Sequence, residues 1–247
     1  MKQGHRTRSH RPGASRTLRS SSRSHGVNRL IREALHPYRA DLRIAAKVSA
    51  RRTPDRGRPA ALSRPELVQA VQDNLEHLGL DTLDLVSLRM TDTLEACDIA
   101  EPLTVLAELR EQGLIRNLGV SNVSAEQAEA ARRIAPIVAV QNHYNIAHRR
   151  DDALADRCAE RGIAFVPFWP LGGFRPLQVQ ALEQAAAQLG ATARQIALAW
   201  LLHRSPTVLL IPGSSTRAHL AENIAAAALD LSHEALRLLN ALADTAS

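Results

Sequence analysis

Short apolar runs alternate with longer amphipathic stretches along most of this 247-residue chain. The runs cover residues 42–48, 83–88, 115–120, 137–141, 163–168 and 208–211. They are nearly continuous in apolar character, the pattern of strands covered on both faces. The segments between them carry helical spacing. A first helix is predicted over 28–35. A second opens at Ser63-Arg64-Pro65-Glu66, places Leu67, Val71, Leu75 and Leu78 on one face, and stops at Gly79. Others follow over 100–112, from Ser124, and over 151–160, 177–189, 192–203, 217–226 and 232–243. Ser124 with Gln127, and Thr192 with Gln195, repeat the capping-box spacing of Ser63 with Glu66.

Six strands, each followed by helix, predict an α/β fold with a parallel sheet. No Gly-x-Gly-x-x-Gly follows any of the strands, which argues against a doubly wound dinucleotide fold. Polar or glycine-rich residues instead recur just past the strand C-termini. They are Lys47, Arg89, Ser121-Asn122, Gln141-Asn142, Gly172-Gly173 and Gly213-Ser214. That recurrence fits a (β/α)₈ TIM barrel, incomplete, with strands corresponding to the last six of eight.

Composition changes the picture at one end only. The formal net charge is +6. Residues 1–25 hold Lys2, Arg6, Arg8, Arg11, Arg16, Arg19 and Arg23 without an acid, leaving 24 cations against 25 anions in the remainder. The body is therefore no nucleic-acid binder by charge. Residues 1–25 read as a basic, Arg/Ser-rich disordered tail, and 26–247 as the partial barrel. Apolar residues make up 45 % and aromatics 3 %, so Ala and Leu carry the packing. Cys97 and Cys158 lack metal spacing and predict reduced, buried thiols. No apolar run approaches the roughly 20 residues of a membrane span, and no secretory pattern is present. The expectation is a cytoplasmic chain with no membrane and no specific nucleic-acid partner.

The strand ends carry the candidate chemistry. Lys47 closes an apolar strand; it either lowers a neighbour's pKa or orients a proton donor, or snorkels to solvent. Ser121 and Asn122 either hold a ligand carboxamide or cap the next helix. Gln141-Asn142-His143-Tyr144-Asn145 concentrates hydrogen-bonding groups after a strand and favours ligand contact. Phe168 or Trp169 either stacks on a flat heteroaromatic ring or packs in the core, and the glycines beside them permit close approach. Pro212-Gly213-Ser214-Ser215 ends an apolar run before a helical pattern, so its N–H groups suit a phosphate. Arg217 and His219 beside it suit an additional 2′-phosphate, pointing to NADP rather than NAD.

In this order the segments resemble the aldo/keto reductase family. The resemblance runs through residues 30–38 with Ile44-Ala45-Ala46-Lys47-Val48, then through 78–85 and Gly119-Val120-Ser121-Asn122. It continues in residues 141–145, Pro170-Leu171-Gly172 and Ile211-Pro212-Gly213-Ser214-Ser215. It spans roughly residues 26–245. It implies a barrel, NADP as cofactor, and reduction of an aldehyde or ketone to an alcohol by hydride transfer. The cofactor residues it implies are Ser121, Asn122, Gln141, Phe168, Leu171, Gly172, Gly213, Ser214, Arg217, His219, Glu222 and Asn223. The family's catalytic lysine falls on Lys47. Its histidine falls on Arg89, its tyrosine on Arg23 and its aspartate on Leu18. Tyr38 and Tyr144 match other positions and are not substitutes for the tyrosine.

These departures leave alternatives beside the enzyme: a catalytically inactive nicotinamide-nucleotide-binding pseudoenzyme, or a non-functional fragment. The break near residue 26 resembles a truncated or out-of-frame start joined to a normal body. Two missing strands predict open sheet edges beside 42–48 and 208–211, and self-association through them.

Overall fold

The computed structural model describes residues 17–19, 26–50, 59–90, 98–173 and 180–241. Six parallel strands form one sheet in the order of the chain: β1 (Thr17–Arg19), β2 (Arg43–Val48), β3 (Leu83–Arg89), β4 (Ile115–Ser121), β5 (Ile137–Gln141) and β6 (Ala164–Phe165). A seventh position joins at Val208, which bridges Phe165 in parallel. Sequential parallel order with a helix after each strand is the winding of a (β/α) barrel. Helices α1 (Gly26–Leu35), α2 (Arg64–Leu78), α3 (Ala100–Glu111), α4 (Ala125–Ile134) and α5 (Asp152–Glu160) separate the strands. α6 (Gln180–Leu189) and α7 (Ala193–Arg204) precede Val208. α8 (Arg217–Ala225) and α9 (His233–Ala241) follow it.

Two of the predicted strands are shorter than their apolar runs. The run at 163–168 pairs as a ladder only at Ala164–Phe165, and that at 208–211 bridges only at Val208. The larger departure is β1. Residues 17–19 lie in the stretch read as a disordered tail, yet they pair in register with Arg43, Ile44 and Ala45. A strand edge offers a row of backbone donors and acceptors, and an extended segment satisfies them whatever its side chains. The edge beside 42–48, expected to be open, is therefore covered by β1.

The helices begin where the capping chemistry places them. Gln127 N donates to Ser124 Oγ at 3.2 Å while Ser124 N donates to Gln127 Oε1 at 2.9 Å. Thr192 and Gln195 make the same exchange ahead of α7. α2 stops at Gly79, φ +66°, and Arg32 of α1 lies where a Cβ on that glycine would stand. Ile44, Ala46 and Val48 pack toward α2 with Leu67, Val71 and Leu78 in one apolar cluster. The intervening residues of β2, Ala45 and Lys47, therefore point to the other face of the sheet.

Candidate active site

Register builds the site. Lys47 of β2 is in line with Ser87 of β3, Gly119 of β4 and Ala139 of β5. Residues in one row share a face, so three small residues stand beside the lysine. One pleat further on, Arg89, Ser121 and Gln141 form a second row on that face. The row between, Val48, Leu88, Val120 and Val140, is buried and apolar and points the other way. Polar groups thus gather on one face at the carboxyl ends of the strands, where barrels carry chemistry. Lys47 Nζ crosses the rows and donates to Ser121 Oγ at 3.0 Å. Gly119 makes the crossing possible. A Cβ there would lie 2.8 Å from Ser87 Oγ and 3.0 Å from the Ala139 carbonyl oxygen.

The turns leaving the strands are strained. Ser49, Asn122 and Trp169 follow β2, β4 and β6 with φ of +97°, +58° and +55°. Such conformations cost on the order of 1–3 kcal/mol each for a non-glycine residue. Each is tied down. Ser49 Oγ donates to the Arg89 carbonyl, Asn122 Nδ2 to the Met90 carbonyl at 3.1 Å, and the Trp169 carbonyl accepts from Asn145 Nδ2 at 3.0 Å.

Beside Trp169 the rings of His143, His148 and Phe168 collect. His143 stacks on His148 with centroids 3.9 Å apart and on Phe168 at 5.6 Å. Burial, then the neighbouring His148 and Arg150, push the His143 imidazole down to about 4. It is neutral at pH 7. His148 is also lowered, again chiefly by burial.

The predicted residues divide into three groups. Lys47, Arg89, Ser121, Asn122 and Gln141 come together as the strand-end constellation. Phe168, Leu171 and Gly172 lie after β6, where Leu171 packs against the core and Gly172 N donates to the Trp169 carbonyl at 3.0 Å. Gly213, Ser214, Arg217, His219, Glu222 and Asn223 lie in and after the turn entering α8. Ser214 Oγ donates to the Thr216 carbonyl, and Thr216 caps the helix through His219 N. Glu222 accepts a hydrogen bond from Thr192 Oγ1, linking α8 to the start of α7.

Three members of the 141–145 cluster, read as ligand contacts, are engaged with the protein itself. Asn142 bonds both backbone groups of Val123 and donates to Asp151. Asn145 donates to the Trp169 carbonyl and accepts from Ala147 N. Tyr144 is fully buried with its hydroxyl on Asp152, and burial and that bond raise its pKa. Tyr38 donates to the Leu78 carbonyl at 2.7 Å, so neither tyrosine substitutes for a proton donor. Cys158 is a buried thiol, pushed up to about 11 by burial; Cys97 and Arg23 lie outside the described residues. Leu18 lies in β1 opposite Ile44.

Sequence reasoning missed Ser87, Ser49 and His148. Ser87 is one polar residue inside an apolar run, and only register places it beside Lys47. His148 reaches His143 through a tight turn in which Asn145 and His148 exchange backbone hydrogen bonds.

The sequential parallel (β/α) sheet with a lysine in its polar mouth defines the class as a (β/α) barrel carrying its candidate chemistry at the strand carboxyl ends. The comparisons sharpen this. Residues 21–244 match the model of the aldo/keto reductase family. Pyridoxine 4-dehydrogenase of Escherichia coli is 55 % identical over 222 residues, covering 88 % of this chain and 78 % of that one. An uncharacterized oxidoreductase of Schizosaccharomyces pombe is 35 % identical over 85 % of this chain and 68 % of its own. The crystal structure of a thermostable aldo-keto reductase with the inhibitor epalrestat superimposes with a TM-score of 0.75 at 33 % identity, covering 87 % of this chain and 77 % of that one. An aldo-keto reductase from Klebsiella pneumoniae in complex with NADPH shares the fold, with a TM-score of 0.76 at 24 % identity over 92 % of this chain and 79 % of that one. The chain belongs to the aldo/keto reductase family. Among the described residues no helix is long and apolar enough to cross a membrane.

Proposed function

We propose that this chain is an NADP(H)-dependent reductase interconverting an aldehyde or ketone and its alcohol. Since a relative at 55 % identity is named for pyridoxine, pyridoxal and pyridoxine are the first pair to test. The observation that carries the reading is a pair of buried amides. Among the described residues, Gln141 Nε2 and both side-chain polar atoms of Asn223 are buried without a hydrogen-bond partner. Leaving such groups unsatisfied costs about 1–3 kcal/mol each, and one amide at the carboxyl end of β5 with another inside α8 suit the two ends of a dinucleotide.

The residues present fit the cofactor. Gln141, Ser121 and Asn122 hold the carboxamide end, Phe168 the flat ring, and Gly213, Ser214 and Arg217 the phosphates, with His219, Glu222 and Asn223 at the distal end. Bound there, NADPH supplies the hydride. Lys47 holds a proton at Nζ, oriented by Ser121 Oγ, and delivers it to the substrate oxygen. Arg89 donates a further hydrogen bond to that oxygen and stays cationic throughout. We also propose that the far side of Val208, where no strand is paired among the described residues, associates with a second copy.

Titration with NADPH, following its fluorescence, tests the cofactor reading. Saturable binding is expected, and Asn223→Ala is expected to weaken it about 5- to 100-fold, the effect of losing one or two hydrogen bonds to a buried amide. No saturation at millimolar cofactor would overturn the proposal. Equal affinity for NADH would remove the role given to Arg217 and His219.

A further inference from the structure

Trp169 stands four residues beyond β6 in the left-handed region, which bulky residues rarely occupy. Its carbonyl accepts from both Asn145 Nδ2 and Gly172 N, each at 3.0 Å. Its indole lies against Gly173, where an added Cβ would come within 2.8–3.0 Å of three atoms of the five-membered ring. Gly173 therefore has to be a glycine for the ring to lie where it does. The surroundings fix a costly conformation, yet they do not bury the side chain. Trp169 is 47 % exposed, whereas Trp200 is 1 % exposed in the core. Strain held in place at a strand carboxyl end, on a large apolar ring that contributes little to the core, is the arrangement expected of a ligand contact.

The chemistry of the neighbours says which ligand. His143 meets Trp169 edge-on with centroids 5.1 Å apart, and Phe168 does so at 5.4 Å. His143 and Phe168 are themselves nearly parallel, at 15°. The three rings form an uncharged π surface at neutral pH, because burial keeps His143 in its neutral form. Such a surface favours offset-stacked and edge-to-face contact with another flat ring over a flexible chain.

We propose that Trp169, set by Gly173 and His143, is a specificity-determining residue that stacks on the ring of an aromatic carbonyl substrate and so selects it over aliphatic carbonyls. The inference rests on the reductase reading above, but its test does not need turnover. The chain has two tryptophans, and Trp200 is buried, so quenching by a solvent-borne pyridine ring reports on Trp169. Titrating the cofactor-free chain with 4-pyridinemethanol, with 1-hexanol as the aliphatic control, is expected to give saturable quenching with the aromatic alcohol alone. Trp200→Phe should retain that quenching and Trp169→Leu should lose it.

In turnover, Trp169→Leu is expected to raise KM for pyridine-4-carbaldehyde about three- to tenfold, the worth of one aromatic contact. KM for hexanal and NADPH affinity should stay unchanged, and Trp169→Phe should restore aromatic KM. Unsaturable or absent quenching in the wild type, quenching that survives Trp169→Leu, or an equal KM rise for both aldehydes would overturn the assignment. Failure of NADPH to bind would end the reductase reading instead, and the quenching titration would still decide what Trp169 contacts.

Discussion

Gly119 is the residue on which the polar rows depend. It lies between Ser87 Oγ and the Ala139 carbonyl, closer to both than a methyl group tolerates. Gly119→Ala must push β3 and β5 apart or tilt Ser87 out of line with Lys47. Overpacking of this kind costs typically about 1–3 kcal/mol. Chemical denaturation should show a lower midpoint with an unchanged slope, and NADPH affinity should fall with it because Ser121 shifts. An alanine variant as stable as the parent would mean that the rows are more loosely packed than these distances imply. The Lys47–Ser121 bond is a different kind of feature. It fixes where a proton can be held, and neither residue's neighbours in sequence specify it.

At the level of elements, the helix starts are local and robust. Ser63 with Glu66, Ser124 with Gln127, and Thr192 with Gln195 satisfy orphan N–H groups within four residues of chain. The ties between helices are not local. Arg204 of α7 pairs with Asp156 of α5 at 2.6 Å and donates to the Tyr144 hydroxyl, while Arg149 pairs with Asp152 and lies over the Trp200 ring. That cluster fastens α5 and α7 around β6. The weaker element is the bridge at Val208, which holds to Phe165 on one side through Phe165 N to the Thr207 carbonyl and Leu209 N to the Phe165 carbonyl. Unpaired edges associate with other chains, and among the described residues no strand pairs on the far side of Val208, so light scattering and sedimentation should show concentration-dependent association. A single monomeric species from micromolar to near-millimolar concentration would rule it out.

For the whole molecule, acid is expected to act in two stages. The His143 imidazole sits near 4 when folded and near its ordinary value of about 6.5 when unfolded. Between those values the unfolded chain binds the proton and the folded one does not, so stability falls as pH drops through this window. Above about pH 6.5 the group contributes no slope. Glu108, Glu129 and Asp156 are held low by arginine partners, so their contribution is lost only further into acid. The melting temperature should therefore be flat from pH 7 to 8 and decline between pH 6.5 and 4.5. The decline should be shallower in His143→Phe, which keeps a ring in the stack. An identical slope in that variant would place the proton uptake elsewhere.

The sequence by itself determined the strand and helix order, the capped helix starts and the family. These are short-range properties: apolar period, cap spacing and motif order are all read within a dozen residues. It also placed Lys47, Ser121, Asn122 and Gln141 at the carboxyl ends of strands, because each ends an apolar run. Tertiary structure decided the rest. Only register put Ser87 and Gly119 beside Lys47, since a pleat of one residue moves a side chain to the opposite face. Packing engaged Asn142, Tyr144 and Asn145 with the protein, because each met a buried backbone group or charge that needed a partner. Pairing drew residues 17–19 into a strand that their composition does not suggest, because the exposed edge of β2 supplied the hydrogen bonds.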